Sequence, residues 1–376
     1  MPGTRSLQKF DVGSADLEAR IMKAVGKVGP RNVAEIARIT GAHQETIRYK
    51  IKRQFVEQGF RFKADVDYRK LGLVLHWGKF VLSPVHYRSA TKFFRLLNDS
   101  AYLIHFSKIL PQGHFVALFS LPEGTTNEFA RFLGRLKNRK ILVEFELDRV
   151  LVQRHKTMDP TFFNFRKDRW EIDWAKVRTA PALPLVAERG EAKPLADKTD
   201  LLIINELQKD ARQHVSGIAG KLKLNAKTVE YHYRSHIVGD GLVRGYMVRW
   251  LRELDRPLSS TVVSMRMTFE GLDGKRLRAV QSVMNRMPYL WVEDLLQPQT
   301  YIATLAVPMN DFAATMDHIG SELGFLGKNI DVGFLSVEDS FNYTIPHHLF
   351  SREKWEFNIE RMEAGVVKGM NAGIGK

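Results

Sequence analysis

The sequence predicts an α+β chain of two tandem units, each a three-helix module with a β wing followed by a βαββαβ domain. The first observation behind this is that the chain matches itself. Shifted by 182 positions, Ile36-Ala37 falls on Ile218-Ala219, Thr46 on Thr228, Tyr49 on Tyr231 and Gly59 on Gly241. The register then drifts by a few residues. Tyr102-Leu103 meets Tyr289-Leu290, Leu121-Pro122 meets Val307-Pro308, Pro160 meets Pro346, and Trp170-Glu171 meets Trp355-Glu356. A period of that length is too long for a solenoid and has the size of a whole two-part protomer. The second observation is a change of hydrophobic period inside each unit, from purely helical spacing to strands mixed with helices. Third, 376 residues with 44% hydrophobic and 26% charged content suit a globular chain of about two to four domains.

Composition also narrows the function classes. Cysteine is absent, which excludes disulfides, thiolate zinc sites, iron–sulfur clusters and cysteine nucleophiles. No apolar run approaches the ~18 residues of a membrane helix. The opening MPGTRSLQKF lacks the apolar stretch of a signal peptide. A cytoplasmic, nucleoid-associated protein without a membrane partner is expected. The net charge of +15 and the pI near 9.8 favour a polyanionic partner, most simply double-stranded DNA. Basic residues outnumber acidic ones in both 1–73 and 198–254, the helical openings of the two units.

In the first unit, Leu17, Ile21, Ala24 and Val25 give helical spacing over 16–28, and Gly29-Pro30 ends that helix. Val33, Ile36, Ala37 and Thr40 form a short second helix stopped by Gly41. A third runs over 43–58 with Ile47, Ile51, Phe55 and Val56 inward and Gly59 as its cap. The second unit repeats the layout over 200–208, 215–222 and 226–238, with Asn225 as N-cap and Gly239 and Gly241 as the stop. The β-prone stretches 60–66 and 242–250 suit wings, so each unit opens with a winged helix-turn-helix. Its third helix fits the major groove and offers its outward side chains to DNA. These are Gln44, Glu45, Thr46, Arg48, Tyr49, Lys52 and Arg53 in the first unit, and Lys227, Thr228, Glu230, Tyr231, Arg234 and Ser235 in the second. Gln and Arg suit base edges, whereas Lys, Thr and Tyr suit phosphates. Any surface helix has a polar face, so a three-helix module kept for protein contacts is the competing reading.

After each wing comes strand–helix–strand–strand–helix–strand. In the first unit these fall at 75–84, 87–97, 103–110, 114–121, 127–136 and 142–153, with a hairpin at Pro111-Gln112-Gly113. The second unit has them at 260–269, 274–287, 290–296, 301–307, 310–323 and 329–337. This is the ferredoxin-like split βαβ, a four-stranded antiparallel sheet with both helices on one face. Its open face needs cover, so face-to-face pairing of the two copies is expected, an intrachain pseudo-dimer. The predicted domains are a winged helix at 1–73, a βαββαβ domain with a Trp-containing extension at 74–177, and a Pro-rich linker at 178–197. A second winged helix at 198–254, a second extended βαββαβ domain at 255–357 and a tail at 358–376, frayed from 365 onward, complete the chain.

The pattern Ile-Ala, Thr-Val and Gly241-Leu242-Val243-Arg244-Gly245-Tyr246 resembles the Lrp/AsnC (feast/famine) transcription regulators. The run Asp200-Leu201-Leu202-Ile203-Ile204 through Leu207-Gln208-Lys209-Asp210-Ala211-Arg212 resembles that family's opening helix and following turn. The resemblance implies a sequence-specific DNA-binding regulator that pairs through its βαββαβ domains, sometimes with a small effector. A dimer of chains would then offer four reading heads. That family's acidic hairpin is replaced by Gly113-His114-Phe115-Val116 and Gln299-Thr300-Tyr301-Ile302, which argues against sensing an amino acid. Siroheme decarboxylases share the fold, and resemblance to them would imply a porphyrin pocket with a His-Cys-Tyr-like motif and adjacent arginines. The chain offers His105-Phe106-Ser107-Lys108 and Glu293-Asp294-Leu295-Leu296 there. A protein-interaction adaptor is the third reading.

Other signals are weaker. Aromatic and basic residues in the extensions suit nucleic acid, but Trp170 and Trp355 read better as anchors onto their own domain or the partner unit. His232 and His236 share a helix face at i and i+4, yet no carboxylate or further histidine stands at a ligand spacing, so no metal site is expected. A Gly-rich phosphate loop, a Ser/His/Asp grouping and a carboxylate pair are all missing. The expectation is therefore a non-enzymatic protein without a cofactor.

Overall fold

A computed structural model of the chain describes residues 17–183, 185, 194–250, 262–297 and 299–372. Expectations for the chain opening, the middle of the linker, the first residues of the 260–269 strand and the last four residues lie outside the described residues. The first unit begins with α1 (Leu17–Val28), α2 (Val33–Thr40) and α3 (Gln44–Tyr49). Asn32 caps α2, and Gly41 ends it with φ 70°, a left-handed value that favours glycine. The third helix is not one uniform α-helix: α3 widens into a π-helical segment (Lys50–Gln54) before a last turn, α4 (Phe55–Glu57). Strand β1 (Phe60–Val66) follows. The domain after it comprises β2 (Leu73–Leu82), α5 (Pro84–Tyr87), α6 (Ala90–Ser100), β3 (Leu103–Leu110), β4 (Phe115–Pro122), α7 (Thr126–Asn138) and β5 (Leu142–His155). The expected helix over 87–97 is α6, set three residues later, with the short turn α5 ahead of it. The extension holds β6 (Phe163–Asn164), β7 (Arg169–Trp170) and α8 (Trp174–Thr179).

The second unit repeats this order. Its winged helix has α9 (Lys198–Lys209), α10 (Val215–Leu222), α11 (Ala226–His232), a π-helical segment (Tyr233–Gly239) and β8 (Val243–Trp250). Then come β9 (Val262–Phe269), α12 (Gly274–Arg286), β10 (Leu290–Leu296), β11 (Thr300–Pro308), α13 (Phe312–Leu323) and β12 (Ile330–Asn342). Its extension is β13 (Phe350–Ser351), β14 (Lys354–Trp355) and α14 (Ile359–Asn371). The fold is a mixed α+β arrangement of winged-helix and ferredoxin-like parts, and no helix among the described residues is long and apolar enough to cross a membrane.

The two sheets do not stack face to face as expected. They join edge to edge into a closed eight-stranded barrel, β10-β11-β9-β12-β3-β4-β2-β5. Strand β12 pairs with β3 and β10 with β5, so the edge hydrogen-bonding groups of each sheet are met by the other. The wings are also not independent hairpins. Strands β1 and β8 pair antiparallel with each other, Phe60 opposite Trp250 and Ala64 opposite Tyr246.

The cores cross the unit boundary. Ile21, Val25, Ile36, Ile47 and Phe55 of the first winged helix pack in one cluster with Met265, Met267, Val280 and Met284 of the second βαββαβ domain. Conversely, Leu201, Ile204, Ile218 and Val229 share a cluster with Phe80, Phe94, Phe119 and Phe129. Each such side chain contributes about 1.5–3 kcal/mol on full burial, so packing across the unit boundary stabilises both units. The extensions follow suit. Trp170 stacks edge-on with Trp250 and Tyr289, while Trp355 donates from Nε1 to the Leu71 carbonyl at 2.7 Å.

One further expectation fails. The tail is not frayed from 365: α14 reaches Asn371 and buries Val366 and Met370 against α6 and α7. Apolar spacing in a glycine-interrupted stretch was the missed signal. The linker's last residue, Asp197, is the N-cap of α9, and Leu195 N–H donates to the Lys70 carbonyl at 2.8 Å.

Candidate functional site

The third helices present the expected side chains to solvent. Gln44, Glu45, Thr46, Tyr49, Lys52, Arg53, Lys227, Thr228, Tyr231 and Arg234 are exposed, and Arg48 and Glu230 partly so. Both arginines are engaged within their own helix, Arg48 with Glu45 and Arg234 with Glu230. Asn225 caps the second of these helices by accepting from Lys227 N–H at 2.8 Å. The second reading helix does not stand alone. With Arg31 and Asn32 of the first unit it borders one wide cleft, and the Arg31 guanidinium lies 3.7 Å over the Tyr233 ring.

Folding also corrects the reading of His232 and His236. Asp197 and Asp200, distant in sequence, lie directly against them because α9 packs on the third helix. Residue spacing along one helix could not reveal carboxylates supplied by another.

A second candidate site lies within the barrel. It is a cavity of about 270 Å³ whose lining includes Trp77, His105, Gln153, His155, Arg249, Arg266 and Trp291. That size is just below the usual small-molecule range of roughly 300–1,000 Å³. Strand alternation places Ser264, Arg266 and Thr268 on the inner face of β9, while Met265 and Met267 face the helices. Arg266 stacks 4.1 Å over the Trp77 ring, and Arg249, reaching in from the wing strand β8, lies 5.1 Å over Trp291. Neither arginine has a carboxylate at ion-pair distance among the described residues. Burial lowers both to about 10, only partly offset by Asp65 for Arg249 and by Asp294 and Asp331 for Arg266.

The histidines differ in character. His105 is pushed down to about 4 by burial and by Arg266 and Arg249, and its Nδ1 lies 3.1 Å from Asn342 Oδ1. His155 Nδ1 lies 2.8 Å from Asp65 Oδ1, which Arg244 also holds. Burial alone would raise Asp65, but His155 and Arg244 outweigh it and set the carboxyl at about 2. Behind Gln153, whose Nε2 donates to Asp294 Oδ1 at 2.7 Å, Asp294 is raised above the usual carboxylate value by burial. The motif positions His105 and Asp294 are therefore brought together around the barrel interior. Arg249, Arg266, Trp77, Trp291 and His155 went unnoticed. An arginine among the alternating residues of β9 was the available clue. The cavity can hold a small molecule beside aromatic side chains and neutralise its carboxylates with two desolvated guanidinium groups.

Comparison with known proteins agrees with this architecture. The family described as winged helix-turn-helix DNA-binding matches residues 197–235. No curated protein sequence matches the chain. The solved structure of the siroheme decarboxylase NirDL aligns over 95% of this chain and 99% of its own, at 12% identity and a TM-score of 0.54. Its complex with an iron-uroporphyrin III analogue aligns over the same shares at 11% identity and a TM-score of 0.55. The B. subtilis LrpC structure covers 38% of this chain and 94% of its own, at 19% identity and a TM-score of 0.27. The expectation of a non-enzymatic protein is thereby overturned, since a protein sharing this fold end to end is an enzyme. Familiar catalytic motifs are local in sequence, whereas the cavity side chains come from separate strands of both units.

Proposed function

We propose that the chain is a ligand-responsive DNA-binding protein, its two units being covalently joined Lrp/AsnC-like halves. The third helices read DNA through Gln44, Arg48, Lys52, Arg53, Lys227 and Tyr231, and the barrel binds a flat, carboxylate-bearing small molecule. The observation that carries this reading is the position of the wing ribbon. Strand β8 sends Arg249 and Trp250 to the cavity while α1 of the first unit packs on the same strand. A ligand that draws on Arg249 therefore acts on the element joining both reading heads. The test is DNA binding by the full chain on a panel of duplexes, with and without an aromatic polycarboxylate. Binding that shifts with the ligand, and loses that shift in Arg266→Met, supports the reading. A chain that shifts no duplex at low salt refutes it.

A second reading is favoured by the His155–Asp65 pair at the cavity wall. A histidine oriented by a carboxylate beside two arginines suits decarboxylation. The arginines hold substrate carboxylates, loss of CO2 leaves an electron pair on carbon, and His155 supplies the proton that replaces it. Incubation with an iron-uroporphyrin III analogue, followed by absorption and product mass, decides this. An unshifted spectrum and unchanged mass remove it.

A further inference from the structure

The second winged helix holds a group of ligating side chains that neither the reading heads nor the barrel uses. Asp197 and Asp200 from the start of α9, and His232 and His236 from the third helix, place one donor atom each within 4.8 Å of all the others. The Asp200 side chain is fully buried, while His232 is 12%, His236 26% and Asp197 40% exposed.

The corresponding place in the first unit shows what such a position requires. Under the 182-residue shift, Asp200 corresponds to Glu18, His232 to Lys50 and His236 to Gln54. There Lys50 Nζ sits 2.6 Å from Glu18 Oε1 and 2.8 Å from Gln54 Oε1, an ammonium neutralising a shielded carboxylate between first and third helix. The second unit keeps the carboxylate but has histidine in place of Lys50. It adds a second carboxylate, Asp197, where the first has Ala15, and two imidazoles. A buried carboxylate needs a positive partner.

We propose that a divalent transition-metal ion of the Zn²⁺ class binds Asp197, Asp200, His232 and His236, pinning the third helix to α9 as Lys50 does in the first unit. Two imidazoles and two carboxylates form an N2O2 set suited to tetrahedral zinc, and a +2 ion balances both carboxylates with neutral imidazoles. Metal–donor bonds of about 2.0–2.1 Å set donors roughly 3.3 Å apart in a tetrahedron. The contacts His232 Nδ1 to Asp200 Oδ1 (2.8 Å), His236 Nδ1 to Asp200 Oδ2 (3.0 Å) and His232 Nδ1 to Asp197 Oδ2 (3.7 Å) bracket that spacing.

The test is Co²⁺ titration of the chelator-treated full chain. The expected result is one Co²⁺ per chain with the intense visible bands of four-coordinate cobalt, displaced by Zn²⁺, and a melting temperature raised by either ion. Asp197→Asn should weaken uptake at least tenfold. The double variant His232→Lys with His236→Gln recreates the first unit's ion pair, so it should fold and melt cooperatively yet take up no ion. Failure of the wild-type chain to bind Co²⁺, or uptake that persists in this double variant, overturns the proposal.

Discussion

Glu45→Gln should strengthen DNA binding even though it alters a residue of the proposed contact surface. The Glu45 carboxylate is paired with Arg48 one turn further on, at the exposed face of α3. An exposed helical pair of this kind is worth only about 0.3–0.5 kcal/mol, so its loss hardly changes stability. Its removal frees one guanidinium for a phosphate and deletes one repelling charge. Each phosphate contact steepens the salt dependence by about 0.9, so one added contact raises the affinity ratio between 50 and 200 mM salt about 3.5-fold. Lys52 has no carboxylate partner among the described residues, and Lys52→Ala should lower the slope by about 0.9. Arg48→Ala should lower it by less, because the intrahelical pair already engages that charge. Fluorescence anisotropy titrations across salt concentrations read all three slopes. Unchanged slopes in both Glu45→Gln and Lys52→Ala would refute the placement of this helix on phosphates.

Three further outcomes are expected. Trp170→Ala should cost about 3–5 kcal/mol in urea denaturation, because a buried anchor is lost between units; a cost below about 1 kcal/mol would show that the crossing contacts do not hold the chain together. Asp65, held at about 2 against its ordinary 3.8, is depressed on folding, so its contribution of about 2 kcal/mol is present above roughly pH 4 and lost as pH falls toward 2. Asp65→Asn should flatten that acid limb, and an unaltered limb would contradict the pairing with His155 and Arg244. Asp294 is raised on folding, so its neutral form is favoured and a penalty appears as pH rises through the folded value. Asp294→Asn should therefore raise the melting temperature at pH 7 and leave it unchanged well below pH 4, an equal shift at both pH values being the contrary result.

The elements were legible in the sequence wherever a local signal sufficed. Val215–Leu222, Leu103–Leu110 and Leu290–Leu296 fall where spacing and turn residues put them, and Gly41 and Asn225 cap as their chemistry demands. What could not be read was the partner of each element. Nothing in Phe60–Val66 says that its mate is Val243–Trp250 rather than a hairpin strand of its own. Likewise, the apolar stripe of α1 is equally ready to pack on its own sheet or on the other unit's. The site was illegible for the same reason. Arg249, His155 and Arg266 come from a wing and two barrel strands far apart in the chain, and only closure of the barrel puts them around one cavity.

Joining the two units in one chain also changes what the cavity can recognise. The fifth residues of β2 and β9 are Trp77 and Arg266, which occupy matching places in their sheets and stack on each other inside the barrel. In a symmetric dimer of identical units these places would carry Trp against Trp or Arg against Arg. The second arrangement would bring two desolvated like charges together. A covalent pair escapes that constraint, as the contrast between Glu18–Lys50 and Asp200–His232 also shows. One wall of the cavity can then be aromatic where the other is cationic. The molecule that fits need not be symmetric, and a ligand with its carboxylates on one edge should bind more tightly than one with them disposed about a two-fold axis. Titration with such a pair of aromatic polycarboxylates, equal in charge and differing only in placement, measures that preference directly. Equal affinities would mean that the asymmetry of the walls is not read.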